Sequence, residues 1–266
     1  MRRLLACLVL CLSGSLAAAE RVVSLAPSLS EIMLELGAGD RLVGVLDGAA
    51  RPPQLAGLPS VGRYGQLEVE TLLGLKPDLI LLAPGSVPPA QQEQLRRLGF
   101  NVQAVVPRDL AQLADSFVQI GELVGRPQQG QQLAADFRQG LATLRQRYRR
   151  ATPLPVFYQV WHKPLYTVGG GQVISDALEV CGARNVFADL RQPAPQVSIE
   201  AVLARDPQVI LGGTRAELDI WQAWPQLAAV RRGQIWAVPD KGLERPSYQM
   251  LGALEQLCAV LAKAQR

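Results

Sequence analysis

Short apolar runs rich in valine, isoleucine and leucine alternate along the chain with segments of helical spacing. In the first half, Arg21–Ala26, Leu42–Leu46, Leu79–Ala83 and Asn101–Val106 read as strands; in the second, Val156–Val160, Asn185–Ala188, Val209–Gly213 and Ile235–Pro239 do. Ser28–Leu36, Pro88–Leu98 and Ile199–Ala204 lie between them with the period of helices. Such alternation predicts α/β lobes with largely parallel sheets.

The two halves repeat each other. Ser30-Glu31 precedes Gly37, and Ser175-Asp176 precedes Gly182, with serine seven residues before glycine in both. A second pair is clearer: Glu70 through Pro77 to Leu81 parallels Glu200 through Pro207 to Leu211. Each unit has an acidic helix start, apolar helix positions, a proline stop and a buried strand. The order and spacing of the matched units favour two lobes of similar build. Between them, Leu133, Phe137, Leu141, Leu144 and Tyr148 form one apolar helical face, and Thr152-Pro153-Leu154-Pro155 ends it. A helix of roughly 20 residues spans about 30 Å. The expected layout is two Rossmann-like lobes, residues 20–126 and 151–266, joined by a single helix over 127–150 that acts as a stiff strut and limits cleft closure. Gly130 and Gly140 weaken that helix modestly.

Composition sharpens this layout. The chain has 266 residues and is 48% hydrophobic and 19% charged, enough for a sizeable core. Residues 1–19 stand apart: Arg2 and Arg3, an apolar stretch from Leu4 to Leu16, then Ala17-Ala18-Ala19. This reads as a cleavable secretory signal, too short to span a bilayer, and places the mature protein in the periplasm. Cys7 is too close to the N-terminus for a lipidation signal to be favoured. Removal of the signal takes the net charge from +4 to +2 and leaves two of the four cysteines, Cys181 and Cys258. An even pair in an exported protein implies one disulfide, worth on the order of 4 kcal/mol across a loop of that length. The basic run Arg145–Arg150 lies on the linker helix and reads as a solvated face, not a nucleic-acid patch.

Enzyme chemistry finds little support. Nucleophile-elbow, Walker, zinc-protease and Cys-x-x-Cys motifs are absent, and the single histidine, His162, excludes any site needing two. Gly169-Gly170-Gly171 lacks the phosphate-binding pattern and reads as a turn. His162 lies just after a strand, where α/β lobes meet ligands. Aromatics are only 5% of the chain, yet Tyr64, Trp161 and Tyr166 fall in Gly- and Pro-containing segments that read as loops. Aromatics held between two lobes suit a large, flat, partly apolar ligand. Trp221, Trp224, Trp236, Met33 and Phe117 read as core.

Ordered motifs run from Arg21 to the C-terminus: Arg21-Val-Val-Ser-Leu-Ala-Pro27, Gly37-Ala-Gly-Asp-Arg-Leu-Val-Gly44-Val, Leu75-Lys-Pro-Asp-Leu79, Leu178-Glu-Val-Cys181-Gly, Asn185-Val-Phe187, Pro195-Gln-Val-Ser198, Glu244-Arg-Pro-Ser247 and Leu257-Cys258. Together they resemble the substrate-binding proteins whose two lobes are joined by one helix, the class III periplasmic binding proteins that serve uptake of siderophores, haem and cobalamin. The cysteine pair and Pro-Gln-Val-Ser resemble the cobalamin branch more narrowly.

The resemblance implies a protein with no catalytic step, no cofactor and no structural metal. It would bind cobalamin or a related corrinoid between its lobes and deliver it, as a monomer, to an ABC importer made of a permease and its ATPase. Tyr64, Trp161, His162, Tyr166 and Arg245 match ligand-facing positions; Glu70 and Glu200 match the acids, one per lobe, that dock into basic pockets of the permease; Cys181 and Cys258 match the family disulfide. Three aromatic positions of the family cleft are changed: Ala194 precedes Pro-Gln-Val-Ser, Ala83 follows the Lys-Pro-Asp-Leu strand, and Leu46–Ala50 replaces an aromatic-rich loop. Haem or a ferric siderophore stays open as the ligand, with His162 and Tyr166 as iron ligands. An exported hydrolase pairing His162 with Ser86 or Ser175 is the reading from a different class.

Overall fold

The structure is a computed structural model and describes residues 18–48 and 51–265. The expected signal segment, with Cys7 and Cys11, lies outside the described residues except for its last two alanines. In chain order the first half holds β1 (Val22–Ser24), α1 (Pro27–Glu35), β2 (Leu42–Asp47), β3 (Ser60–Arg63), β4 (Gln66–Leu67), α2 (Val69–Leu75), β5 (Leu79–Leu82), α3 (Pro89–Arg97), β6 (Val102–Ala104) and α4 (Leu110–Leu123). Its sheet has the order β4-β3-β2-β1-β5-β6 and is parallel except for β4, which runs antiparallel to β3. Then comes α5 (Pro127–Arg147), the linker helix. The second half holds β7 (Leu154–His162), β8 (Leu165–Thr167), α6 (Val173–Val180), β9 (Ala183–Asn185), α7 (Ile199–Arg205), β10 (Val209–Gly212), α8 (Arg215–Leu218), α9 (Ala228–Arg231), β11 (Ile235–Ala237) and α10 (Met250–Ala262). Here β11, β10 and β7 are parallel, and the far edge of β7 pairs with β9 along its start and antiparallel with β8 along its end.

The repeat seen in the sequence is a repeat in space. α2 and α7 both end in a left-handed residue that is not glycine, Lys76 at φ 46° and Asp206 at φ 38°. A proline follows each, stopping the helix and sending the chain into the central strands β5 and β10. α1 and α6 both run into a left-handed glycine, Gly37 and Gly182.

One expectation changes. The strand predicted over Val156–Val160 continues to His162, turns at Lys163-Pro164 and returns as β8. Trp161 and Tyr166 are therefore not loop residues but register partners in an antiparallel hairpin. Pro164 reads as a loop signal locally, yet it sits at the turn, where no ladder hydrogen bond is needed from it.

The linker helix is packed along its length rather than free-standing. Phe117 of α4, Phe137 of α5 and Tyr248 ahead of α10 cluster with ring centroids 5.4 to 6.4 Å apart. One apolar core thereby runs from the first lobe through α5 into the second. Gly130 is required here: a Cβ on it would stand 2.6 Å from the Phe117 carbonyl oxygen, so the glycine lets α4 and α5 touch backbone to backbone. The basic run at the end of α5 is not simply solvated. Arg145 pairs with Asp176 at 3.4 Å, and Arg150 donates to the Leu261 carbonyl at 2.7 Å, fastening the helix to the second lobe. Trp221, Phe117 and Met33 are fully buried, as their patterns predict, whereas Trp224 and Trp236 are only partly buried and pack against the edge of the core. Trp221 Nε1 also donates to buried Gln159 at 2.7 Å, a polar core contact that periodicity does not reveal.

A candidate ligand cleft between the lobes

In a parallel sheet the loops after the strand ends converge on one edge, and the helices that follow present their N-termini there. Both lobes turn that edge toward each other. Between them lies a cavity of about 860 Å³, within the range of small-molecule sites. From the first lobe it is walled by Ser28, Leu29 and Ile32 of α1, by Ala83 and Pro84 after β5, and by Val105 to Arg108 after β6. From the second lobe come Gly170 to Ile174 at the start of α6, Ala188, Leu190, Arg191 and Pro193 after β9, and Leu243, Glu244 and Pro246 after β11. The glycine run is more than a turn: a Cβ on Gly169 or Gly170 would come within 2.0 and 2.1 Å of the carbonyl oxygens of Gln192 and Ala188. Only glycines allow the 188–193 loop to close onto the start of α6 and form this wall.

The sequence-predicted ligand residues fall in different places. Tyr64, between β3 and β4, is on the cavity wall, half exposed, and partial burial pushes its phenol pKa up. It is the one aromatic among the lining residues, so the aromatic clamp expected from both lobes is reduced to one ring at this depth. Trp161, His162 and Tyr166 share the β7–β8 hairpin and do not line the cavity. Trp161 is 54% exposed, and its indole donates to the Lys163 carbonyl at 2.9 Å. His162 Nδ1 is shielded from solvent and, among the described residues, has no hydrogen-bond partner. A bridge from Tyr166 to Gln196 ties the hairpin to the loop that supplies Arg191 and Pro193. Of the changed aromatic positions, Ala83 is itself on the wall, so the missing side chain widens the cavity.

Arg245 also departs from its expected place. Its neighbours Glu244 and Pro246 line the cavity, but its guanidinium lies 3.0 Å from Glu31 of the first lobe. Glu31 further accepts from Ser247 Oγ at 3.1 Å and from the Gln249 amide. Glu35, one turn on, accepts from the backbone N–H groups of Tyr248 and Gln249 at 3.0 and 3.1 Å and so caps α10 from the other lobe. Burial of the Glu35 carboxyl raises its pKa despite these donors. A cap also runs the other way: Asp176 of the second lobe, the residue that matches Glu31 in the repeat, accepts from Leu110 N–H at 2.8 Å and caps α4 of the first. These reciprocal caps use an acid in the last turn of α1 and one in the first turn of α6, and short sequence windows carry no sign of them.

The remaining polar groups on the wall are few. Tyr158 OH donates to Glu244 at 3.3 Å, and its own pKa is driven far up by burial, with the Glu244 charge adding to it. Arg108 and Arg191, one from each lobe, complete the charged set; sequence reasoning passed over both, although each follows a strand end. Among the described residues no hydrolytic pair forms. The Ser175 hydroxyl donates to the Gly169 carbonyl and accepts from Asn185, and that of Ser86 donates to the Ala83 carbonyl. The disulfide is present, joining Cys181 at the end of α6 to Cys258 within α10. The two acids of the repeat, Glu70 and Glu200, are exposed in the first turns of α2 and α7. The backbone N–H of Glu200 and the Ser198 hydroxyl hold the Glu200 pKa below the usual carboxylate range.

Known proteins share this architecture. Residues 22–241 match the periplasmic binding protein family model. A vitamin B12-binding protein of Vibrio cholerae is 40% identical over 99% of this chain and 98% of its own length, and one of Yersinia pestis is 38% identical over 92% and 87%. The crystal structure of the periplasmic vitamin B12 binding protein of Vibrio cholerae superposes with a TM-score of 0.84 at 40% identity, covering 93% of this chain and 98% of that one. A periplasmic haem-binding protein from Roseiflexus gives 0.79 at 26% identity, covering 93% and 99%. With a model match across most of its length and relatives aligned nearly end to end, the chain belongs to the periplasmic binding protein family.

Proposed function

We propose that this protein is the periplasmic receptor of an ABC importer and holds cobalamin or a related corrinoid between its lobes. The observation that carries the reading is the 860 Å³ interlobe cavity, found in a chain 40% identical, almost end to end, to a vitamin B12-binding protein. Binding there needs no covalent step. The apolar wall of Leu29, Ile32, Val106 and Leu190 takes the faces and edges of the macrocycle, and Tyr64 lies against its plane. The exposed Trp161 ring, with His162 and Tyr166, meets the part of the ligand that projects beyond the wall, supported by the tie from Tyr166 to the cavity loop. Glu70 and Glu200 dock the two lobes onto the permease by charge complementarity. Export through a cleavable signal ending at Ala19 delivers the chain to that compartment.

Calorimetry with cobalamin and cobinamide tests this directly. Binding tighter than about 10 µM is expected; failure to bind either corrinoid overturns the reading. A second reading, haem, is favoured by the unpartnered His162 Nδ1 and by the haem-binding relative of the same fold. It predicts instead a Soret band that is lost in His162→Ala.

A further inference from the structure

We infer that the cleft contains an anion-recognition pair, Arg108 from the first lobe and Arg191 from the second, which reads an anionic substituent of the ligand. The inference rests on the corrinoid reading proposed above and specifies it: the group recognised is the phosphodiester of the nucleotide loop, which cobalamin has and cobinamide lacks.

Three observations converge. Arg108 and Arg191 both line the cavity, yet among the described residues neither guanidinium has a carboxylate within salt-bridge distance. The cationic residues that attach elements elsewhere are partnered: Arg145 to Asp176, Arg205 to Asp189, Arg245 to Glu31. Second, the one carboxylate on the wall, Glu244, accepts from Tyr158 OH and, among the described residues, forms no ion pair with either cation. Third, α1 points its N-terminal turn at the same space, with Ser28 on the wall and no side-chain cap on its first N–H groups. That adds the positive end of a helix dipole. A cation without an ion pair on each wall of one cavity suits a ligand that carries negative charge, and arginine is the residue that meets phosphate oxygens with two parallel donors.

Calorimetry on the wild type, Arg108→Gln, Arg191→Gln and the double variant, each with cobalamin and with cobinamide, tests the pair. Both arginines are exposed, and thermal unfolding verifies that the variants fold. The wild type is expected to bind cobalamin at least about tenfold tighter than cobinamide, and the double variant to close that gap to within about twofold. Raised salt should narrow the wild-type gap as well. A gap that persists in the double variant, or equal affinities in the wild type, overturns the anion pair while leaving corrinoid binding standing. Loss of both ligands from the wild type overturns the corrinoid reading itself. Haemin bound by the wild type and released by the double variant would move the recognised group from phosphodiester to carboxylate and overturn the assignment made here.

Discussion

Glu31 and Glu35 show how much a single helix face decides. Four residues apart on α1, they reach the other lobe together, one binding Arg245 and Ser247, the other capping α10. Burial raises the Glu35 pKa, and the like charge of Glu31 adds to it. Protonation is thus favoured in the folded state. The contribution of this group is fully present below the ordinary value of 4.5 and is lost as pH rises through its raised value. Glu35→Gln stays neutral throughout. The melting temperature of the variant relative to wild type should therefore climb as pH rises above 4.5 and level off once pH has passed the raised value. A difference that does not vary with pH would contradict this. At the same scale, Trp161 and Tyr166 illustrate what local reading misses: their chemistry was legible, while their pairing across a hairpin was not, because Pro164 looks the same in a loop and at a turn.

Elements were the most legible level. The apolar stripe of α5, the proline stops after α2 and α7 and the buried strands β5 and β10 all follow from short-range spacing and appear as expected. What spacing withheld was how elements touch. Gly130 counts as a weakness in an isolated helix; in the fold it is the contact that lets α4 meet α5. The disulfide belongs to this level too, since it pins the end of α6 to the middle of α10 across 77 residues of sequence. Replacing Cys181 and Cys258 together by serine should lower stability by about 2–5 kcal/mol, read as a drop in the denaturation midpoint. Reductant should reproduce the drop in the wild type and have no further effect in the variant. An unchanged midpoint would mean that the cross-link adds nothing to the packed α6–α10 contact.

The whole molecule is two matched lobes sharing one core through a packed helix, and this bears on transport. On the docking reading, Glu70→Arg with Glu200→Arg should reduce uptake in cells by at least about tenfold, while calorimetry finds ligand affinity within about twofold of wild type. Uptake that survives the double reversal would remove those acids from the docking surface. The packing of Phe117, Phe137 and Tyr248 across α5 and the reciprocal caps from Glu35 and Asp176 both oppose a wide opening of the lobes.

Sequence alone determined the alternation of strands and helices, the duplication, the linker helix, the cysteine pair and the family resemblance. These depend on local spacing or on ordered motifs, which a linear chain displays openly. Tertiary structure decided which residues face one another across the lobes. It kept Tyr64 on the wall, turned Arg245 onto Glu31, grouped Trp161 with Tyr166 on a hairpin, and brought Arg108 and Arg191 to the same space. The physical reason is that the cleft is built from loops far apart in sequence. Their meeting is set by sheet order and by the packing of α4, α5, α6 and α10, so its composition is a property of the assembled fold.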